Sequence, residues 1–222
     1  MSESKRRILN GIRRSLERGI LSDSEMVRLR EGLENPNRNT IPQQGRPAED
    51  ERHQQFMDRA RQETATVEEL SDSSELPAAI GRWLERNKLP KHIVVSPHPK
   101  LTTMDWQTSG LESRQGLPEP EDLTGVTTVF AGIAETGTLC VCSSTQHPYS
   151  LNLLPDNHIA IVERSRIVGC YEECWDLLRE EMGRGIMPRT LLWITGPSMT
   201  GDIEQTLMRG AHGPRRLHIL VI

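Results

Sequence analysis

Three short polar segments carry side chains that could do chemistry, and each interrupts an apolar run of the 222-residue chain. The first is Gly132-Ile-Ala-Glu-Thr-Gly-Thr138, where Glu135 is the single acid. Its carboxylate could act as a general base, as a nucleophile or as a hydrogen-bond acceptor for a ligand. Thr136, Gly137 and Thr138 would bind the ligand beside it, with Gly137 free to adopt a positive φ. Alternatively, Glu135 and Thr136 only satisfy backbone groups of the bend.

The second segment is Gly196-Pro-Ser-Met-Thr-Gly-Asp202, after which the pattern predicts a helix that begins at Asp202. A helix N-terminus presents unpaired N–H groups and the positive end of the helix dipole, which suits a phosphate or a carboxylate. The alternative is that Ser198 or Thr200 is only an N-cap. A Walker motif is absent from the sequence, so ATP is not implied. The predicted ligand-binding residues here are Gly196, Pro197, Ser198, Thr200 and Asp202.

The third segment is His212-Gly213-Pro214, a constrained turn before the last apolar run. His212 could act as an acid or base, with Gly213 binding the ligand beside it. The alternative is a histidine at a helix C-terminus followed by a glycine cap. His158 opens another apolar run and is either a ligand-binding or a structural histidine. Because the sequence has no His-x-x-His or His-Glu-x-x-His spacing, no metal site is predicted.

The four cysteines form two pairs, Cys140-Val-Cys142 and Cys170-Tyr-Glu-Glu-Cys174. Neither pair has the usual Cys-x-x-Cys spacing of zinc or iron–sulfur ligands. Cysteine is also a common buried apolar residue. We therefore predict that these side chains pack in the core.

The composition excludes several classes of protein. The net charge of −4 gives no reason to expect nucleic acid as a partner. No stretch approaches the roughly 20 apolar residues that a membrane span needs, and no signal-peptide core follows the basic N-terminus. The expected location is therefore the cytoplasm. A hydrophobic content of 35% and a mean hydropathy of −0.53 indicate that part of the chain is not packed.

The elements that must position these segments divide into two regions. Residues 3–18 form an amphipathic helix by their spacing, and Ser22 with Glu25 predicts the capped start of a second helix that ends near Leu33. The proline-rich stretch 35–49 reads as a linker or a mobile loop. We therefore predict a helical N-terminal extension with a flexible linker over 1–49, and its basic helix is either a solvated surface or a docking helix for a partner.

Residues 50–222 alternate short apolar strands with helices. Helices are predicted over 50–62, 75–87 and 170–182, and strands over 93–95, 126–131, 138–142 and 158–162. Residues 97–121 read as irregular. This alternation predicts an α/β domain with a mostly parallel open sheet flanked by helices.

Four ordered motifs, the three segments above and Leu154-Pro-Asp-Asn-His-Ile159, resemble the LUD (lactate utilisation) domain family. The resemblance covers about residues 60–222 and extends to the N-terminal Ser-Lys-Arg-Arg-Ile run. It implies a fold similar to that of glucosamine-phosphate isomerase, ribose-phosphate isomerase and CoA-transferases. It also implies a role in bacterial oxidation of L-lactate to pyruvate, in which iron–sulfur clusters belong to partner proteins, the lactate utilisation proteins A and B. This chain is then expected to hold no cofactor of its own.

Three functions remain open on this reading. The first is a non-redox accessory subunit that binds a small carboxylate or phosphate. The second is an enzyme acting on a phosphorylated or CoA-linked small acid, with Glu135 as base or nucleophile. The third is a ligand-sensing module. The sequence does not show whether Glu135, Ser198 and His212 converge in space.

Overall fold

The computed structural model describes residues 2–19, 21–203 and 206–222, and within 201–208 it describes the backbone of residues 201–203 and 206–208 only. The chain divides into two compact units, Met1–Asn39 and Thr40–Ile222. The helices described are too short or too polar to cross a membrane.

The first unit consists of two helices, α1 (Glu3–Ser15) and α2 (Asp23–Glu34). Both predicted helices are confirmed, although α1 ends three residues before the predicted end at residue 18. The predicted capping box is also present, because the Ser22 hydroxyl accepts from the Glu25 N–H and the Glu25 carboxylate accepts from the Ser22 N–H. Every side chain described in these two helices is at least partly exposed.

The second unit contains four helices and twelve strands among its described residues. The helices are α3 (Arg52–Gln62), α4 (Leu76–Arg86), α5 (Pro99–Thr102) and α6 (Tyr171–Met182). The strands are β1 (Thr66–Glu69), β2 (His92–Val95), β3 (Glu112–Gln115), β4 (Thr124–Thr128), β5 (Ala131–Ile133), β6 (Thr138–Cys142), β7 (Asn157–Val162), β8 (Ile167–Val168), β9 (Leu191–Ile194), β10 (Met199–Ile203), β11 (Thr206–Arg209) and β12 (Arg216–Val221).

Six strands form a wholly parallel sheet in the order β1-β12-β7-β4-β2-β3. Strand β7 is buried along its whole length and sends alternate side chains to opposite faces. Ile159 and Ile161 pack in the cluster that contains α4, whereas Ala160 and Val162 pack in the cluster that contains α3. The predicted α/β fold with a parallel sheet flanked by helices is therefore confirmed.

Four further strands form a smaller sheet, which the sequence pattern did not distinguish from the first. Its order is β8-β5-β6-β9, in which β5–β6 and β6–β9 are antiparallel and β5–β8 is parallel. The predicted strand 126–131 is therefore two strands, since the chain leaves the main sheet after Thr128 and joins the smaller one at Ala131. Helix α6 packs on this sheet through an apolar cluster that includes Cys140, Cys142 and Cys174.

Two further differences from the sequence reading concern local structure. The predicted helix from Asp202 is wrong, because β10 and β11 form an antiparallel hairpin there. Gly201 and the β-branched Thr200, Ile203 and Thr206 all lower helix propensity, and three of them favour strands. In addition, the stretch 97–121, which was predicted to be irregular, contains the edge strand β3. All four residues of β3 are polar, so the sequence lacks the apolar run by which the other strands were predicted.

Part of the predicted linker packs on the α/β unit. A short 3-10 helix spans Gln43–Gly45, and Gly45 is buried. The Gln55 side chain of α3 donates to the Gln44 carbonyl at 2.7 Å and to the Ala134 carbonyl at 3.1 Å. Residues 40–49 therefore belong to the second compact unit, which begins earlier than residue 50.

Candidate functional site

The carboxyl end of the parallel sheet contains a cleft of about 1070 Å³, here called the carboxyl-edge cleft. From β2 the chain runs outward to β3 and then returns to the other side of β2 as β4, so the strand order reverses between β2 and β4. Ligands of open α/β sheets bind at such reversal points, outside the carboxyl ends of the strands. The apolar lining of the cleft includes Leu76, Val129, Ile161 and Ile222.

The charged rim of this cleft has more acidic than basic side chains, Glu49, Asp50, Asp72 and Glu163 against Arg52, Lys100 and Arg164. Lys100 forms an ion pair with Glu163, and Arg164 forms one with Glu69. Arg52 lies 3.4 Å from Glu173. Because each of these cations has an acidic partner, the cleft is better suited to an organic ligand of mixed polarity than to a bare polyanion.

Two histidines meet beside the cleft at the β2/β4 reversal point. The His98 and His147 ring centroids are 4.8 Å apart, and Nε2 of His147 lies 2.6 Å from Oγ1 of Thr128. Burial, followed by the nearby His98, lowers the pKa of His147 to about 4. Burial and Lys100 also lower the pKa of His98, partly opposed by Glu163. Both rings are therefore neutral near pH 7 and can exchange hydrogen bonds without adding charge.

Ser96, the residue that follows β2, carries a buried hydroxyl with no hydrogen-bond partner in the described part of the chain. Nδ1 of His98, two residues later, is also buried and has no hydrogen-bond partner among the described residues. Such groups cost free energy unless a ligand or an ordered water satisfies them. Two such groups therefore lie close together at the reversal point.

Replacing Ser96 with alanine should therefore stabilise the ligand-free protein by about 1 kcal/mol, because the change removes an unsatisfied buried hydroxyl. Thr127→Val is the matched contrast, since the Thr127 hydroxyl contacts Asn152 at 3.0 Å and His158 at 2.8 Å and its loss should be destabilising. Urea-induced unfolding followed by tryptophan fluorescence measures both changes. A loss of stability in Ser96→Ala would show that its hydroxyl has a bound partner in the free protein.

A second, smaller cavity of about 220 Å³ lies at the opposite end of the sheet and is here called the amino-end cavity. His158 and Leu217, each the second residue of its strand, lie in register and line it together with the end of β9. Backbone hydrogen bonds hold its loops together, since the Ser198 N–H donates to the Pro214 carbonyl at 2.9 Å. The residues predicted from the sequence that line this cavity are His158, Gly196, Pro197, Ser198, His212 and Gly213.

His158 is the most deeply buried polar group of the amino-end cavity. Its side chain is 0% exposed, and burial lowers its pKa to about 4, so the ring is neutral at pH 7. Nε2 lies 2.8 Å from the Thr127 hydroxyl, whereas Nδ1 has no partner among the described residues.

Glu135 lines neither cavity. Its N–H donates to the Gly169 carbonyl at 2.9 Å, and a Cβ on Gly45 would stand 3.0 Å from its Oε2. Ser198 and His212 thus line one cavity, and Glu135 lies elsewhere. A role for its carboxylate as base or nucleophile remains a prediction.

The other predicted residues of the first segment form a hydroxyl cluster. Thr136 and Thr138 lie 2.7 Å apart and each lies 3.0 Å from the Tyr171 hydroxyl. Thr138 also lies 2.7 Å from the Thr195 hydroxyl, which connects this cluster to a residue of the amino-end cavity. Gly137 has the expected positive φ, of 67°.

Two predicted residues of the second segment fall outside this arrangement. Thr200 lies in β10 and lines neither cavity, and the side chain of Asp202 lies outside the described residues. Without a helix after Gly201, the helix dipole on which the predicted anion site relied is absent from the described backbone, and ligand binding by Thr200 and Asp202 remains a prediction.

The sequence reading missed Ser96, His98 and Thr128. The Ser-Pro-His-Pro-Lys run directly after a buried Ile-Val-Val strand was the available signal, since polar residues at a strand's carboxyl end are candidates for binding.

Comparisons with known proteins identify the family. The LUD domain family matches over residues 123–222. A lactate utilization protein C of Deinococcus radiodurans is 31% identical over 175 residues, which cover 76% of this chain and 78% of that protein. The protein of the same name from Bacillus subtilis is 33% identical over 134 residues, which cover 59% of this chain and little more than half, 56%, of the relative.

A solved structure agrees with these sequence matches. The crystal structure of a DUF162 family protein from Deinococcus radiodurans superposes with a TM-score of 0.60 at 27% identity, covering 79% of this chain and 99% of that one. The sequence relatives and the shared fold lead to one conclusion: the chain belongs to the LUD domain family.

Proposed function

We propose that this chain serves lactate utilisation as a non-redox accessory subunit, working with iron–sulfur partner proteins that oxidise L-lactate to pyruvate. The observation that carries the proposal is the 175-residue match to a lactate utilization protein C, which extends over 76% of the chain. The expected partners are the lactate utilisation proteins A and B.

The placement of the cysteines supports a non-redox role. All four thiols are buried, and three of them pack with Leu178 in an apolar cluster between α6 and the smaller sheet. Within the described residues, no group of three or more His, Cys, Asp or Glu side chains is arranged to hold a metal ion. Packing of small apolar side chains in the core therefore explains why the four thiols are buried.

The carboxyl-edge cleft provides the accessory role with a place for an organic ligand. Its volume of about 1070 Å³ is that of sites for cofactor-sized molecules. Its apolar lining would hold the body of such a molecule, and the Thr128 hydroxyl, which lies 2.6 Å from Nε2 of His147, would provide a hydrogen bond at one end. A small acid alone would leave most of this space to water.

An independent enzyme with Glu135 as base or nucleophile is less well supported. Glu135 lines neither cavity, and Gly45 lies against its carboxylate. A substrate would have to displace the Gln43–Gly45 segment to reach it.

L-lactate-dependent dye reduction by the two iron–sulfur proteins of the same organism, with and without this chain, tests the proposal. We expect reduction to require the chain, and His147→Asn to lower it by about tenfold if the cleft binds a ligand through the Thr128 hydroxyl, which this ring contacts. His92→Asn, an exposed histidine at the start of β2, is the matched control and should leave the rate unchanged. Glu135→Gln should also have no effect. Full activity without the chain would contradict the accessory role.

A further inference from the structure

Helix α1 (Glu3–Ser15) carries an exposed apolar stripe along one side. At about 100° per residue, the side chains of Ile8, Leu9, Ile12 and Leu16, the last at the C-cap, fall within a sector of about 100°. Ile8 is 59% exposed, Ile12 50% and Leu16 56%. Aliphatic side chains at this exposure gain free energy when an apolar phase covers them.

The rest of the helix surface is basic. Residues 2–19 contain six of the 27 basic side chains of the chain and only two of its 31 acidic ones, although the whole chain has a net charge of −4. Positive charge is therefore concentrated in this segment of an acidic protein. Four of its arginines form no ion pair with a described residue, and these are Arg6, Arg7, Arg14 and Arg18.

An aliphatic stripe beside unpaired cations suits the surface of a membrane with anionic lipids. The stripe would lie at the boundary between headgroups and acyl chains, and the cations would contact lipid phosphates. Lys5 falls in the sector of the stripe near the start of the helix, where its long stem can carry the ammonium group out to the headgroups.

Other polyanionic partners match only part of this surface. The phosphates of a nucleic acid would satisfy the cations and leave the stripe in water. A protein groove would need acidic side chains placed opposite arginines that point in several directions around the helix. Lipid headgroups diffuse in the plane of the membrane and can gather wherever a cation lies, so they meet this requirement without a matched structure.

Helix α2 (Asp23–Glu34) shows that exposed apolar side chains alone do not define such a surface. It exposes Leu29 at 50% and Leu33 at 77%, but it contains four acids and only two arginines. An anionic surface repels this excess of negative charge. Helix α2 is therefore the matched control for a test of α1.

We propose that α1 binds the chain peripherally to membranes that contain anionic lipids, with the stripe of Ile8, Ile12 and Leu16 in the interface and the arginines on lipid phosphates. This inference goes beyond the proposed function, because it gives the chain a location and needs no ligand in either cavity. A helix of this length depends on apolar contact and charge together, so binding should be reversible and should weaken as salt screens the cations.

Co-sedimentation of the full chain with lipid vesicles tests the proposal. We expect binding to vesicles of equal parts phosphatidylglycerol and phosphatidylcholine at about 0.1 M salt, and loss of that binding at about 1 M salt. Vesicles of phosphatidylcholine alone should bind the chain at least about tenfold more weakly. Failure to bind the anionic vesicles, or equal binding to both compositions, would overturn the proposal.

Variants at exposed positions separate the two contributions and should leave the fold intact. Arg6→Gln combined with Arg7→Gln should weaken binding about twentyfold, since each cation near an anionic surface contributes about fivefold. Ile12→Gln should weaken it about tenfold through lost apolar contact. Leu29→Gln in α2 is the matched control, because Leu29 and Ile12 are both 50% exposed, and it should leave binding unchanged. Equal losses in Ile12→Gln and Leu29→Gln would contradict the assignment to α1.

Hydrogen exchange localises the contact independently of affinity. The amides of residues 3–15 should exchange more slowly on the anionic vesicles, whereas those of Thr40–Ile222 should not change. Unchanged exchange over residues 3–15 would overturn the proposal, because the contact would then lie elsewhere.

Two measurements without lipid test the other occupants of the stripe. A dimer in size-exclusion chromatography that Ile12→Gln dissociates would overturn the proposal, because a second copy would cover the stripe. Loss of L-lactate-dependent dye reduction in the Arg6→Gln, Arg7→Gln variant would also overturn it, because α1 would then dock on a partner protein. A chain that binds the vesicles but is dispensable for dye reduction would contradict the accessory function alone.

Discussion

Replacing Gly137 with alanine should lower the free energy of unfolding by about 4 kcal/mol or more and leave little folded protein. Gly137 has a φ of 67°, which costs an alanine about 1–2 kcal/mol. The larger contribution is a collision, because the new Cβ would lie 2.3 Å from the backbone N of Ala60 and 2.6 Å from the carbonyl carbon of Arg59. Backbone atoms cannot rotate away, so α3 would have to move.

Such a movement of α3 would open the core, because Phe56, Met57 and Ala60 of this helix are buried against the parallel sheet. The bend at Gly137 thus holds the smaller sheet against α3, and the Thr136–Thr138 hydroxyl cluster depends on the same contact.

Gly110→Ala is the matched control for backbone strain. Gly110 has almost the same φ, 68°, but the nearest atom to its new Cβ is Lys91 Nζ at 4.0 Å. The control should therefore cost only about 1–2 kcal/mol. Urea-induced unfolding, or soluble yield where the variant does not fold, measures the difference. Equal losses in the two variants would show that the contact between α3 and the bend does not constrain the fold.

Acidification from pH 6.5 to pH 5 should destabilise the protein steeply, because three buried histidines bind protons more weakly in the native state than in the unfolded chain. Burial lowers the pKa of His158 to about 4, and burial followed by the nearby His98 lowers the pKa of His147 to about 4. It also lowers the pKa of His218 to about 4, partly opposed by a hydrogen bond to Thr66 and by Glu68. Each ring binds its proton near pH 6.5 once the chain unfolds, so falling pH favours the unfolded state.

The size of this effect follows from proton linkage. Each histidine contributes up to about 1.4 kcal/mol per pH unit between the two pKa values, so the three remove about 5 kcal/mol between pH 6.5 and pH 5. The stability from the three rings is present above pH 6.5 and is lost as the pH falls towards about 4. A loss of this size is a large part of the free energy of unfolding of a typical domain, which is about 5–15 kcal/mol.

Urea titrations at several pH values between 7 and 5 measure the slope, which should approach about three protons near pH 5. His218→Gln should reduce the slope to about two protons, whereas His92→Asn, at an exposed position, should leave it unchanged. A flat stability profile over this range would mean that the folded protein binds protons at His147, His158 and His218 as readily as the unfolded chain does.

Sequence alone determined the features that depend on neighbours along the chain. The Ser22–Glu25 capping box is formed by residues three positions apart, and the helix it opens is present. Short apolar runs likewise predicted the strands β6 and β7, and four motifs in order indicated the family. These signals are local because caps, turns and the burial of alternate side chains are determined within a few residues.

Only the tertiary structure decided which segments meet. Strands β4 and β5 are separated by two residues yet belong to different sheets, and residue spacing contains no signal for that choice. Ser198 and His212 line the amino-end cavity together with His158. Glu135 instead lies against Gly45, a residue of the stretch that was predicted to be a linker. Thr127, Asn152 and His158 come from three separate elements, and their long-range hydrogen bonds leave Nδ1 of His158 without a partner among the described residues. Long-range pairing and burial determine which strands pair and which side chains meet, because the free energy of each contact depends on the whole packed core rather than on the local sequence.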